Sequence, residues 1–282
     1  MKNSSLLTSQ REFSVLMSVY KNDNPQWLND AFESVFSQTI QPSEFVLVKD
    51  GPLPPELEVV IERISTRHPI FKIVENEKNL GLGLSLQKGV LACSNEIIAR
   101  MDSDDLLPVN RFERQLAALK DNVDVVSCWS MAFENTVENV VAVKKRPEYH
   151  EAIVKLAHRR SPLCHAACLM RKSAVLKAGN YLHRQYYEDY NLWVRMIMSG
   201  SVFYNVQEIL YYVRTDERQL QRRGGFSYLR RELKYLREFY DMNFYSKKDL
   251  FINSNIRIIA RLTPKLIRGK VFKIIWNHST RE

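Results

Sequence analysis

The chain has 282 residues, 45% hydrophobic and 26% charged, enough for one sizeable α/β domain with appendages or two small domains, and too apolar for wholesale disorder. Its four cysteines, Cys93, Cys128, Cys164 and Cys168, are too few for a disulfide scaffold and fit a reducing compartment. The net charge of +9 belongs to the tail: from Arg218 onward 16 Lys and Arg stand against 5 Asp and Glu, a net of +11, while the first 217 residues carry 25 against 27.

The opening MKNSSLLTSQREF lacks the apolar stretch of a signal peptide. No apolar run approaches the roughly 20 residues that span a bilayer, so a cytosolic or membrane-surface location is expected. FSVLMSVY (13–20) reads as a buried strand. Asn24 and Pro25 then supply an N-cap and first-turn pair for a helix carrying Trp27, Leu28, Ala31, Phe32, Val35 and Phe36. EFVLVKDG (44–51) is a second strand, PPELEVVIERIS (54–65) a second helix and FKIVEN (71–76) a third strand. A glycine-containing loop leads to a helix from about Leu84 to Cys93, and EIIARMD (96–102) is a fourth strand. Pro108 is expected to open a further helix to about Leu119.

After Val123 the pattern changes. VDVVSCWSMAF and VENVVAVKK suggest a hairpin, HEAIVKLAHRR a helix, and YYEDYNLWVRMIMSG (186–200) a periodic helix stopped by Gly200. SVFYNV and ILYYVRT read as two strands, and from about Gly225 the chain is helical, basic and aromatic. Apolar strands alternating with amphipathic helices imply βαβ units and a mainly parallel sheet covered on both faces. The expected organisation is a main domain over 1–217, with halves 13–122 and 123–217, followed by a basic helical region over 218–282.

In such sheets ligands bind at the carboxyl ends of strands. Ser18 and Tyr20, Asp50 and Gly51, and Asp102, Ser103 and Asp104 all fall at those ends. In ARMDSDD (99–105) the two-residue period of a strand sends Asp102 and Asp104 to one side. Two converging carboxylates make a hard-oxygen site for Mg²⁺ or Mn²⁺; the alternative is that the acidic run caps the following helix, a role open to Asp104 or Asp105. Asp50-Gly51 is a turn signal or a contact for a base or ribose. Asn79-Leu80-Gly81-Leu82-Gly83 permits close backbone approach to a phosphate or ring, yet matches neither a Walker loop nor G-x-G-x-x-G, which disfavours dinucleotide binding. Glu188-Asp189 at a helix start either matches the helix dipole or supplies a general base. Cys164, His165 and Cys168 hint at metal but read better as small buried residues, since no second ligand pair follows.

SVY at 18–20, KDG at 49–51, NLGLG at 79–83, RMDSDD at 100–105 and ED at 188–189 together resemble family 2 glycosyltransferases of the nucleotide-sugar-binding GT-A fold, a Rossmann-like mixed sheet flanked by helices. The match covers about 13–215, and the members most similar in style are bacterial enzymes of exopolysaccharide and lipopolysaccharide assembly. The resemblance implies that Ser18, Val19, Tyr20 and Asp50 contact the base, usually uracil, with Asn79 and Gly81 on the donor loop. It places Arg100, Asp102 and Ser103 by the ribose and makes Asp104, helped by Asp102, the ligand of Mn²⁺ or Mg²⁺. Asp189 becomes the catalytic base with Glu188 beside it, and His165 falls where such enzymes line the acceptor cleft, although a structural histidine reads equally well. The implied partners are a UDP-sugar donor and a glycan or polyprenyl-linked sugar acceptor, used at the inner face of the cytoplasmic membrane.

Processive members carry Q-x-x-R-W, whereas here Gln219-Leu220-Gln221-Arg222 is followed by Arg223, so a single-addition enzyme is expected. Arg214, Arg222 and Arg223 are either diphosphate contacts from a loop or solvated basic residues. The segment 256–276, IRIIARLTPKLIRGKVFKIIW, has six Lys and Arg and no acid; it suits a bilayer interface, or a helix packed on the domain with its basic residues outward. No nucleic-acid recognition motif accompanies the charge. A silent nucleotide- or carbohydrate-binding module and a sugar nucleotidyltransferase are the rival readings.

Overall fold

A computed structural model describes residues 12–215 and 225–262. The chain divides into two compact units, Met1–Val154 with Ser161–Arg214, and Lys155–Arg160 with Thr215–Glu282.

The first unit contains strands β1 (Phe13–Val19), β2 (Glu44–Lys49), β3 (Phe71–Glu75), β4 (Ile97–Asp102), β5 (Val125–Glu134), β6 (Thr136–Lys144), β7 (Leu169–Arg171) and β8 (Phe203–Arg214). Its helices are α1 (Pro25–Phe36), α2 (Pro55–Arg67), α3 (Leu82–Ala92), α4 (Arg111–Ala118), α6 (Lys172–Lys177) and α7 (Glu188–Met198), and α5 (His150–Ala157) starts in it. All strands join one sheet in the order β3-β2-β1-β4-β7-β5-β6, with β8 on β5. The pairs among β1 to β4 are parallel; β7 runs antiparallel to β4 and β5, and β8 parallel to β5.

Period-two alternation builds the layers. Val15, Met17, Phe45, Leu47, Ala99 and Met101 point to one face and pack with Leu28, Phe32, Ile61 and Phe112. Leu16, Val46, Val48 and Ile98 point to the other and pack with Leu86, Val90, Val175, Leu192 and Trp193. The Asn24 side chain accepts from the Gln26 and Trp27 N–H groups, capping α1 as expected.

The differences from expectation are local. α3 starts at Leu82. α4 starts at Arg111, whose N–H bonds to the Pro108 carbonyl, so Pro108 precedes the helix rather than opening it. The two strands expected between 201 and 215 are one, because β8 advances from Val206 to Tyr211 while β5 advances only from Cys128 to Ser130. This bulge places the polar Gln207-Glu208 within a continuous strand, where sequence suggested a break.

In the second unit the helices are α8 (Phe226–Asp241) and α9 (Lys247–Leu262). Among the described residues no helix is long and apolar enough to cross a membrane. The Gln219–Arg223 departure and the part of the basic segment after Leu262 lie outside the described residues.

Candidate active site

The parallel register brings the motif residues to one edge. Ser18 stands between Val48 and Asp102, and Val19 beside Lys49. Ser18 and Tyr20 are partly exposed there. Val19, expected to touch a base, instead buries its side chain in the core, and its carbonyl accepts the Asp50 N–H at 2.8 Å.

Asp50 is buried, and both its oxygens hold the glycine loop. Oδ1 accepts from the Leu80 N–H (2.7 Å) and Asn76 Nδ2 (3.1 Å), and Oδ2 from the Gly81 N–H (2.9 Å). Asn79 Nδ2 donates to the Asp50 carbonyl at 3.4 Å. Gly51 sits at φ +89°, and a Cβ there would lie 2.7 Å from the Asn79 nitrogen, so only glycine lets the loop close on the strand end. Asn76, missed by sequence reasoning, also donates to Ser85 Oγ on α3 (2.9 Å) and so ties loop, strand and helix together.

Beyond β4, the Asp102, Asp104 and Asp105 carboxylates converge, with one ligand atom from each within 4.8 Å of the others. Asp102 pairs with Arg100, and its N–H donates to the Tyr211 hydroxyl at 3.1 Å. Ser103 Oγ and the Tyr20 N–H both donate to Asp23 Oδ2, at 2.7 and 3.1 Å. Asp23 is a further carboxylate that the sequence reading overlooked. Burial pushes its pKa up to about 6. Burial, with the charges of Asp102 and Asp23, pushes Asp104 up to about 7, and Asp105 is likewise raised by burial and its two acidic neighbours. A divalent cation fits this donor set: hard oxygens, close together, short of positive charge.

Asp105 does not cap α4, which begins six residues later; its Oδ1 accepts the Arg214 N–H at 2.8 Å. Arg214 is neither solvated nor on a loop. It ends β8, donates from Nε to the Asp104 carbonyl (3.0 Å), and lies over the Trp27 and Phe133 rings at 5.1 and 4.9 Å. It clamps the backbone of the acidic turn.

Arg100, expected beside a ribose, is only 1% exposed. It pairs with Asp102 below the strand end, and its Nε and Nη1 have no hydrogen-bond partner within the protein. Arg111, equally buried, donates to the Arg100 carbonyl at 2.8 Å and braces β4 from α4. His165 Nε2 lies 2.8 Å from the Tyr181 hydroxyl with its ring edge-on to Trp193. Burial and the Arg100 charge hold its pKa well below the usual histidine range, so it is a neutral structural group. Cys168 Sγ donates to the Cys164 carbonyl at 3.2 Å, and burial pushes both thiols up. Among the described residues the only cluster spaced to hold a metal is the aspartate one.

The Glu188-Asp189 pair opens α7. Gly83, at the start of α3, brings this pair against the glycine loop: a Cβ on Gly83 would lie 2.6 Å from the Leu182 carbonyl oxygen and 3.3 Å from Glu188 Cβ. Burial, then the adjacent Asp189, pushes Glu188 up to about 7. Ser161 Oγ donates to Asp189 Oδ2 at 3.0 Å, fixing that carboxylate. The geometry offers an oriented carboxylate next to one that exchanges a proton near neutrality.

Glycosyl transferase family 2 matches residues 14–179. An Escherichia coli protein described as UDP-Gal:alpha-D-GlcNAc-diphosphoundecaprenol beta-1,3-galactosyltransferase is 36% identical, over 93% of this chain and 95% of its own length. The amylovoran biosynthesis glycosyltransferase AmsE of Erwinia amylovora is 33% identical, over 94% and 97%. Among solved structures, a mannosyltransferase from Pyrobaculum calidifontis in complex with GDP-Man and Mn²⁺ superposes with a TM-score of 0.63 at 15% identity, covering 97% of this chain and 83% of that one. Residues 1–349 of Staphylococcus aureus TarS, in complex with UDP-GlcNAc, give 0.61 at 13%, covering 96% and 73%. The sheet, its acidic edge and these relatives agree: the chain belongs to glycosyl transferase family 2, with a GT-A fold, and is a glycosyltransferase of bacterial polysaccharide synthesis.

Proposed function

We propose that the protein moves a sugar from a UDP-sugar, with inversion at the anomeric carbon, to a hydroxyl of a lipid-linked sugar at the inner face of the cytoplasmic membrane. The observation that carries this reading is the converging Asp102, Asp104 and Asp105 carboxylates at the end of β4, in a chain whose glycine loop packs against the Glu188-Asp189 helix start at Gly83. Asp104 and Asp102 would hold Mn²⁺ or Mg²⁺, which supplies positive charge to the diphosphate as it departs. Arg100 pairs with the Asp102 carboxylate, and Arg214 holds the Asp104 backbone carbonyl. Ser18, Tyr20 and the Asn79–Gly83 loop, anchored by Asp50, form the donor floor.

On the acceptor side Asp189, held by Ser161, takes the proton of the attacking hydroxyl. The new oxygen–carbon bond forms as the anomeric carbon–diphosphate bond breaks, its electron pair leaving with UDP. A single base with direct displacement inverts the configuration and requires no covalent intermediate. The Escherichia coli relative's name makes UDP-galactose and GlcNAc-diphosphoundecaprenol the first pair to test.

Labelled UDP-sugars incubated with lipid-linked acceptors should give a product whose new linkage is opposite in anomeric configuration to the donor. Asp104→Ala and Asp189→Asn should abolish most turnover. Undiminished transfer in both variants overturns the residue roles. Donor binding without turnover by the wild type on every acceptor tested favours a silent module.

A further inference from the structure

Helix α9 has its polarity reversed. Its buried residues are Asn253, Arg257 and Ala260, while Phe251, Ile259 and Leu262 are 70, 57 and 61% exposed. The inward polar side chains each reach a partner. Arg261 Nε and Nη2 donate to the buried Glu232 of α8 at 2.7 and 3.0 Å, and Arg257 Nε lies 3.5 Å from the same carboxylate. Asn253 Nδ2 donates to the His158 carbonyl at 2.9 Å and Arg257 Nη2 to the Arg159 carbonyl at 3.2 Å. Of the six basic residues in 256–276, the two that are described, Arg257 and Arg261, face inward; the others lie outside the described residues.

Burying two arginines on one glutamate is costly for a helix whose outer side meets water, because apolar side chains of the same helix are left outside. The arrangement suits an outer side that meets an apolar medium. Residues 248, 251, 255, 259 and 262 recur at helical spacing, so Lys248, Phe251, Asn255, Ile259 and Leu262 form one exposed stripe. Lys247 is exposed beside it. The helix's single carboxylate, Asp249, is turned to Ser246 and Arg159. The stripe thus combines apolar side chains with lysines and no acid.

We infer that this stripe of α9 seats on the surface of an anionic lipid bilayer, with Phe251, Ile259 and Leu262 at the headgroup boundary and Lys247 and Lys248 on lipid phosphates. Charge selects this occupant over a second copy of the chain, since two copies of an acid-free cationic face repel and offer no rim ion pairs. The inference stands on α9 alone, and lipid binding is measured without donor or acceptor, so it fails separately from the sugar-transfer reading.

The test is cosedimentation of the full chain with vesicles of phosphatidylethanolamine and phosphatidylglycerol, against vesicles of phosphatidylcholine. Binding to the anionic vesicles should fall by about tenfold or more in Phe251→Ser/Ile259→Ser/Leu262→Ser, and by about fivefold in Lys248→Gln. Phe251→Trp should retain binding and blue-shift its emission on anionic vesicles. Equal thermal midpoints show that the variants fold. Unchanged binding by the triple variant overturns the inference, as does equal binding to neutral vesicles. So does a wild-type dimer, seen by light scattering, that the triple variant loses while vesicle binding persists.

Discussion

The two acidic clusters of the site are made differently. The Asp102–Asp105 turn gathers like charges at a strand end and locks its backbone with Arg214 and Tyr211, leaving three carboxylates close together and two of them raised in pKa. The Glu188-Asp189 pair sits on a helix start, with one carboxylate oriented by Ser161 and the other raised to about 7. Converging carboxylates repel until a proton or a cation joins them, whereas in the pair one carboxylate is fixed by a hydroxyl while its neighbour holds a proton more tightly. The difference matches the two roles proposed for them, metal ligand and base.

Substitutions can break that contrast, beginning with the largest effect. Asp104→Ala should lower transfer by about 10³-fold or more and abolish the thermal stabilisation given by Mn²⁺; a lost rate with an intact metal shift would break the assignment. Asp189→Asn should lower kcat by about 10²–10³-fold while the Mn²⁺ shift and UDP-sugar affinity, read by calorimetry, stay unchanged. Arg214→Met should cost about 2–4 kcal/mol in denaturant unfolding, because it strips a buried donor from the Asp104 carbonyl, and should weaken Mn²⁺ affinity about tenfold. Glu188→Gln is the mildest. In the wild type Glu188 takes up a proton as pH falls through about 7, removing the negative charge that keeps Asp189 basic, so kcat/KM should decline on the acid side. The variant should flatten that limb and lose about tenfold or less at pH 8; an unchanged limb assigns it to another group.

Much of the nucleotide-binding half was readable because its information is local. Alternating apolar residues identified β1 to β4, and the strand ends followed with their polar residues. The less readable parts rest on partners distant in sequence. Asp50 looked like a ligand contact, and only the fold brings the Leu80 and Gly81 N–H groups to it. Arg214 read as a diphosphate contact or a solvated basic residue and Arg111 carried no signal, yet each is buried against a backbone carbonyl of the β4 segment. The bulge in β8 hid one strand as two, and the short elements between 161 and 177 carry too few residues for a periodic signal. For α9 the helical, basic character was visible, but the facing was not: Arg257 and Arg261 turn inward to Glu232, on a different helix.

Gly83 bears on how such an enzyme changes over time. Because the glycine loop and the Glu188-Asp189 helix start touch at a position with no room for a methyl group, backbone contact at Gly83 sets the span between them. On the proposed roles, residues that choose the sugar or the acceptor can then drift around a fixed spacing. Gly83→Ala would lengthen that distance, and no adjustment of the specificity loops would restore it.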